Sequence, residues 1–215
     1  MDAKHLAPIL AVAGLSSLAT YFALRRRCAA PEEVPPSIDP ETEAGWLGYL
    51  WKDPNFENAD AQYREWSDDA WRRENGWKGN DFIHNKRSRG PRVIQYFYDR
   101  KQQRLEGPVV FGPDSESHAG LCHGGSMTAV LDDVLGHVAF VSGGTRWGGA
   151  TVSVNCSLKK VVRVGAVLKV WGRVIERRGR KVLIEGGLEA EDGTVHALLE
   201  GVAVECSREQ LLGGK

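Results

Sequence analysis

Residues 123–136 read His-Gly-Gly-Ser-Met-Thr-Ala-Val-Leu-Asp-Asp-Val-Leu-Gly and hold the side chains best suited to chemistry. Two adjacent acids, Asp132 and Asp133, interrupt an otherwise apolar run. On a helix, Gly125, Ala129, Asp132 and Gly136 share one face, and that face carries almost no bulk except one carboxylate, so a ligand can approach the backbone there. Asp133 shares its face with Ser126 and His137, a more ordinary polar side. Periodicity alone places both acids off the apolar stripe, and the small-residue face favours Asp132. At the start of the run, Gly124 and Gly125 offer backbone N–H groups at the positive end of a helix dipole. His123 either donates to the same oxygen or fixes the loop. Helix N-terminal donors with a carboxylate two turns on can hold a carbonyl and activate a water, which is a layout for hydrolytic acyl transfer. The competing reading is that the glycines only permit close packing and that both acids are solvated.

The elements that must position these residues are legible on either side. Met127, Val130, Leu131, Val134, Leu135 and Val138 recur at three- and four-residue steps, which predicts a helix over 124–141 with one buried stripe. After Gly143-Gly144 the period becomes two: Val152, Val154, Cys156 and Leu158 alternate with Thr151, Ser153, Asn155 and Ser157. Strands are predicted over 166–175 and 181–190 about the turn Arg177-Arg178-Gly179-Arg180, and Asp192-Gly193 turns the chain into a strand over 195–205. Upstream, 93–98 and 109–111 are short strand candidates. One helix followed by a long antiparallel meander predicts an α+β fold with the sheet wrapped around the helix. Such a sheet leaves an edge strand free, and pairing the edges of two subunits would give a homodimer, or a dimer of dimers.

The rest of the chain narrows the class. Its 215 residues suffice for one domain with extensions, and 28 basic against 28 acidic residues argue against a nucleic-acid binder. Cys28, Cys122, Cys156 and Cys206 are scattered, with no CxxC pair, which fits a reducing compartment. His118, Cys122 and His123 lie close together but lack a second ligand pair, so no metal site is expected. Residues 6–24 carry no charge and are followed by Arg25, Arg26 and Arg27. They read as a retained membrane anchor or a targeting segment within 1–30, with the following domain on the cytosolic or matrix side. The Arg-rich, acid-poor flank fits a mitochondrial membrane. Residues 31–90 read as a Pro- and acid-rich linker leading into an extension that carries Trp46, Trp51, Trp66, Trp71 and Trp77, with a helix over 62–74. These indoles either pack on the main domain, which spans 91–209, or form an interfacial belt.

The His-Gly-Gly-x6-Asp motif, on a helix before four antiparallel strands, resembles the hotdog-fold acyl-CoA thioesterases, and most of all their PaaI-type branch. The likeness covers about residues 92–206. It implies a homodimer with sites at the subunit interface and no cofactor beyond the CoA of the substrate. It implies that Asp132 acts as general base or nucleophile and that the Gly125 N–H polarises the thioester carbonyl. Thr151 matches the residue that faces the carboxylate across the dimer. Asn155, Ser157, Lys159, Lys160, Arg178, Arg180 and Lys181 match the positions that meet CoA, the last three within a local basic cluster, Glu-Arg-Arg-Gly-Arg-Lys. Val161-Val162 stand where many relatives have a proline, and Asp133 beside the motif acid is a second departure. Two other readings compete: a hotdog enoyl-CoA hydratase using Asp132 with His137, and a non-catalytic acyl-CoA-binding scaffold.

Overall fold

The computed structural model describes residues 39–62, 68–143 and 150–207. The candidate anchor at 6–24 lies outside them, as do Trp66 and the first turns of the helix expected over 62–74. No helix among the described residues is long and apolar enough to cross a membrane.

The central element is helix α3, Gly124–Gly143, which follows α1 (Pro40–Glu43) and α2 (Asp69–Glu74). All six residues of the expected stripe are buried, as are Ala139, Phe140 and Val141. The helix packs against the strands β2 (Pro91–Val93), β4 (Arg104–Phe111), β7 (Ala150–Leu158), β8 (Val167–Arg178), β9 (Lys181–Glu189) and β10 (Val195–Val204). Leu105, Val109, Phe111, Leu168, Val170, Val182, Ile184, Leu188, Ala197 and Leu199 form the sheet side of this core. Alternation sends their intervening neighbours to the other face.

With β1 (Phe56–Asn58) and β3 (Phe97–Asp99), these strands run in the order β1-β3-β4-β8-β9-β10-β7, and β2 also pairs with β4. Thus β8, β9 and β10 form the expected meander, but β7 does not pair with its successor. It crosses to the far edge beside β10, from Ala150 opposite Val204 to Leu158 opposite Ala197. The α+β fold, a long antiparallel sheet around one helix, is the one expected. Strand β1 lies within the stretch read as an extension, so the sheet begins well before residue 91. A separate two-stranded ribbon, β5 (Glu116–His118) and β6 (Leu121–Cys122), leads into α3.

The extension packs on this unit through a second apolar cluster. Ala44, Leu47, Leu50 and Phe97 are its buried members, with Trp46 and Trp51 against them. Trp51 meets Phe97 edge to face at 4.6 Å. Trp71 lies 5.6 Å from Trp77, and the Arg72 guanidinium lies over the Trp77 ring while bonding Asp81 at 3.2 Å. The described indoles are therefore half-buried by their own chain.

β2 and β3 follow one another along the same edge of β4, and the register slips by one residue between them. The Ile94 N–H donates to the Pro108 carbonyl at 2.9 Å, and a Cβ on Gly107 would lie 2.1 Å from the Gln95 carbonyl oxygen. Backbone cannot yield as a side-chain tip can. Gly107→Ala is expected to cost about 1–3 kcal/mol in urea unfolding, in the range of overpacking substitutions, whereas Gly79→Ala, with nothing within 4 Å, should be near neutral.

Candidate active site

The two acids of α3 have different surroundings. Asp132 is exposed, on the outward face with exposed Gly125 and half-buried Ala129 and Gly136. Its charge reaches Cys156 in β7. Burial pushes that thiol up, a hydrogen bond with Thr128 opposes the shift, and Asp132 raises it again. Helix α3 packs along the edge strand β7.

Asp133 is turned inward, which corrects the view of its face as ordinary polar surface. Its Oδ2 lies 3.1 Å from His84 Nε2 and accepts from the Tyr96 hydroxyl at 2.9 Å. His137 Nδ1 stands 3.4 Å from the same oxygen and 2.8 Å from the Asp133 carbonyl. Burial alone would raise the Asp133 carboxyl, but the imidazoles and the hydrogen bonds from His84 and Tyr96 hold it down at about 2. Burial would lower His84, yet the Asp133 charge and hydrogen bond, with Asp60 and Asp81, raise it to about 9. His137 is pushed down, first by burial and also by the His84 charge. Both shifts favour an ion pair, with His84 protonated and Asp133 ionised. His84 reaches it from a turn whose Ile83 and His84 N–H groups both donate to Asp81 Oδ1.

At the N-terminus of α3, the Gly125 N–H donates to His123 Nδ1 at 2.8 Å. The amide expected to polarise a carbonyl is thus occupied by the imidazole. An Nδ1 that accepts puts the proton of the neutral ring on Nε2, and His123 is exposed. The glycines have steric reasons. A Cβ on Gly124 would lie 2.7 Å from Leu158 Cδ1, and one on Gly125 would lie 2.8 Å from His123 Nδ1. The helix start is therefore set directly against the end of β7.

Thr151 is the second residue of β7 and is half-buried, while Asn155, Ser157, Lys159 and Lys160 are exposed along and beyond that strand. Arg178, Arg180 and Lys181 are exposed at the β8–β9 hairpin. Arg178 holds Glu176 through two nitrogens, at 2.7 and 2.6 Å, and Arg180 Nε donates to the Glu205 carbonyl at 2.8 Å. The basic cluster is partly neutralised by its own chain. His137, which the hydratase reading would use with Asp132, is engaged with Asp133.

Sequence reasoning missed His84 and Tyr96, which are distant from the motif. The one local signal was the four-residue step from Asp133 to His137, a spacing that puts two polar groups on one helix face.

Residues 119–197 match the family model described as Thioesterase superfamily. Among solved structures, a thioesterase superfamily protein aligns at 18% identity and a TM-score of 0.51, covering 95% of this chain and 86% of that one. A hypothetical thioesterase of Streptococcus pneumoniae TIGR4, crystallised with coenzyme A, aligns at 15% identity and a TM-score of 0.45 over 48% of this chain and 82% of that one. A phenylacetic acid degradation-related protein of Ralstonia eutropha JMP134 aligns at 20% identity and a TM-score of 0.49, over 62% and 97%. At these identities the first likeness carries the fold. No curated protein matches the chain.

The two acids should separate on stability. Asp133→Asn leaves the His84 cation without its counter-charge and should cost about 3–5 kcal/mol in chemical denaturation. Asp132→Asn, at an exposed position, should stay within about 0.5 kcal/mol of the parent.

Proposed function

We propose that this chain, whose residues 119–197 carry a thioesterase superfamily domain, hydrolyses acyl-CoA thioesters to a free acid and CoA. The observation that carries the reading is the division of the acid pair. Asp133 is committed to the interior, while Asp132 stays exposed on a bare helix face beside β7. A carboxylate so placed can take a proton from water, or attack directly, as the carbonyl carbon is engaged. The thioester carbonyl would first meet His123 Nε2–H, and the Gly125 amide only once the imidazole swings away. Charge building on that oxygen favours such donors.

The site is read as completed by a second copy. Strand β7 is a sheet edge, and Val152, Val154 and Leu158 are exposed along it at 58%, 36% and 49% in the single chain. Apolar side chains along an unpaired edge support edge-to-edge pairing. That pairing would bring the partner subunit's β7, with its Thr, toward the Asp132 face. The CoA phosphates would be met by Lys159 and Lys160 and by the hairpin residues Arg180 and Lys181, with Arg178 engaged on Glu176. In this reading residues 6–24 tether the domain to a membrane on its cytosolic or matrix side.

Thiol release from short-, medium- and long-chain acyl-CoAs tests the reading with the full chain. Asp132→Asn should lower kcat by about 10²–10⁴, the usual worth of a general base, with CoA binding kept. Equal activity of parent and Asp132→Asn would remove Asp132 from the mechanism. A folded dimer that binds CoA and hydrolyses no chain length would instead support the acyl-CoA-binding scaffold. Lys159→Ala/Lys160→Ala should raise KM several-fold with kcat little changed, as loss of ground-state phosphate contacts does.

A further inference from the structure

His84, Asp133 and His137 converge in a way that the hydrolytic reading does not use. One ligand-capable atom from each lies within 4.8 Å of the other two. An ion bound at about 2.0–2.2 Å by nitrogen and oxygen donors holds its ligand atoms about 3–4 Å apart, and His84 Nε2 lies 3.1 Å from Asp133 Oδ2. We propose that these three side chains form a binding site for a divalent transition-metal ion of the zinc class, clamping the segment that carries His84 to helix α3.

The donor chemistry favours that class of ion. Two imidazoles and one carboxylate suit zinc and its neighbours, and they do not suit calcium or magnesium, which require mostly oxygen donors. The outer contacts are also those that orient metal ligands. A carbonyl oxygen can only accept, so the 2.8 Å contact between His137 Nδ1 and the Asp133 carbonyl makes Nδ1 the donor. The ring's other nitrogen then carries a lone pair when the ring is neutral. The Tyr96 hydroxyl, donating to Asp133 Oδ2 at 2.9 Å, supports the carboxylate in the same manner. Asp60, whose Oδ1 accepts from the Tyr96 N–H at 3.3 Å, adds a further acid close by.

The burial of the site indicates a structural role. The side chains of His84, Asp133 and His137 are 3%, 14% and 13% exposed, whereas Asp132, about 100° round the helix from Asp133, is exposed. His84 and Asp133 are 49 positions apart, so one ion would close a long loop and stabilise the folded chain through its own binding free energy. In the present geometry the same donors are joined by hydrogen bonds. A proton and a metal ion are therefore alternative occupants, and metal content distinguishes them.

The test uses the untagged full chain, purified without chelator. Elemental analysis should find close to one zinc per chain. After chelation, titration with cobalt(II) should saturate at one equivalent, with visible d–d absorption, and zinc should raise Tm. His84→Ala and His137→Ala should abolish both effects, while His118→Ala, at an exposed ring, should keep them. Tyr96→Phe, which retains all three ligands, should weaken cobalt binding about 10- to 100-fold. That variant and the parent titration keep the test decisive if the ligand variants fail to fold. A parent chain with no zinc, no stoichiometric cobalt uptake and no Tm response would overturn the proposal. So would uptake that survives loss of both histidines. Either result leaves the cluster as a proton-bridged ion pair.

Discussion

A carboxylate inside a protein is costly unless its charge is met by a partner and by hydrogen bonds. Asp133 meets that condition through His84 and Tyr96 on one oxygen, with His137 close behind. The rotation of α3 about its axis depends on this arrangement. Successive residues on a helix are separated by about 100°, so turning Asp133 toward His84 turns its neighbour Asp132 away from the cluster. The same rotation lays the six-residue apolar stripe on the sheet. Rotation by one position in the sense that aims Asp132 where Leu131 now packs would bury a carboxylate in the apolar core and displace the stripe.

The cluster also explains why the segment before residue 91 belongs to the domain. That segment supplies His84 and strand β1. It also supplies the second apolar cluster around Leu47 and Leu50 and the Arg92–Glu43 ion pair. Each contact joins a position in the extension to one in the sheet or on α3. Removing the extension would leave Asp133 buried without its cation.

On the other side of the helix the constraints are looser. Gly124 and Gly125 admit Leu158 and the His123 ring, the Asp132 face is bare, and β7 is a free edge carrying exposed valines and a leucine. A helix locked on one side and open on the other, beside a strand with one free edge, can receive a second subunit and a ligand without disturbing its own core.

Much of this was legible in the residues themselves. The stripe of α3, the hairpins at Gly179 and Asp192-Gly193 and the His-Gly-Gly-x6-Asp spacing are local patterns, set by the 3.6-residue and two-residue periods and by turn geometry. They determined an α+β fold with one central helix and singled out Asp132. Three things were decided only by tertiary structure. The first is that β7 passes over to the β10 edge, because strand order depends on long-range pairing to which no single segment commits. The second is that Asp133 is buried, because periodicity marks a face as polar but does not say whether a distant histidine will cover it. The third is that the Gly125 amide is taken by His123, because backbone donors are satisfied by whichever acceptor the folded loop brings within reach.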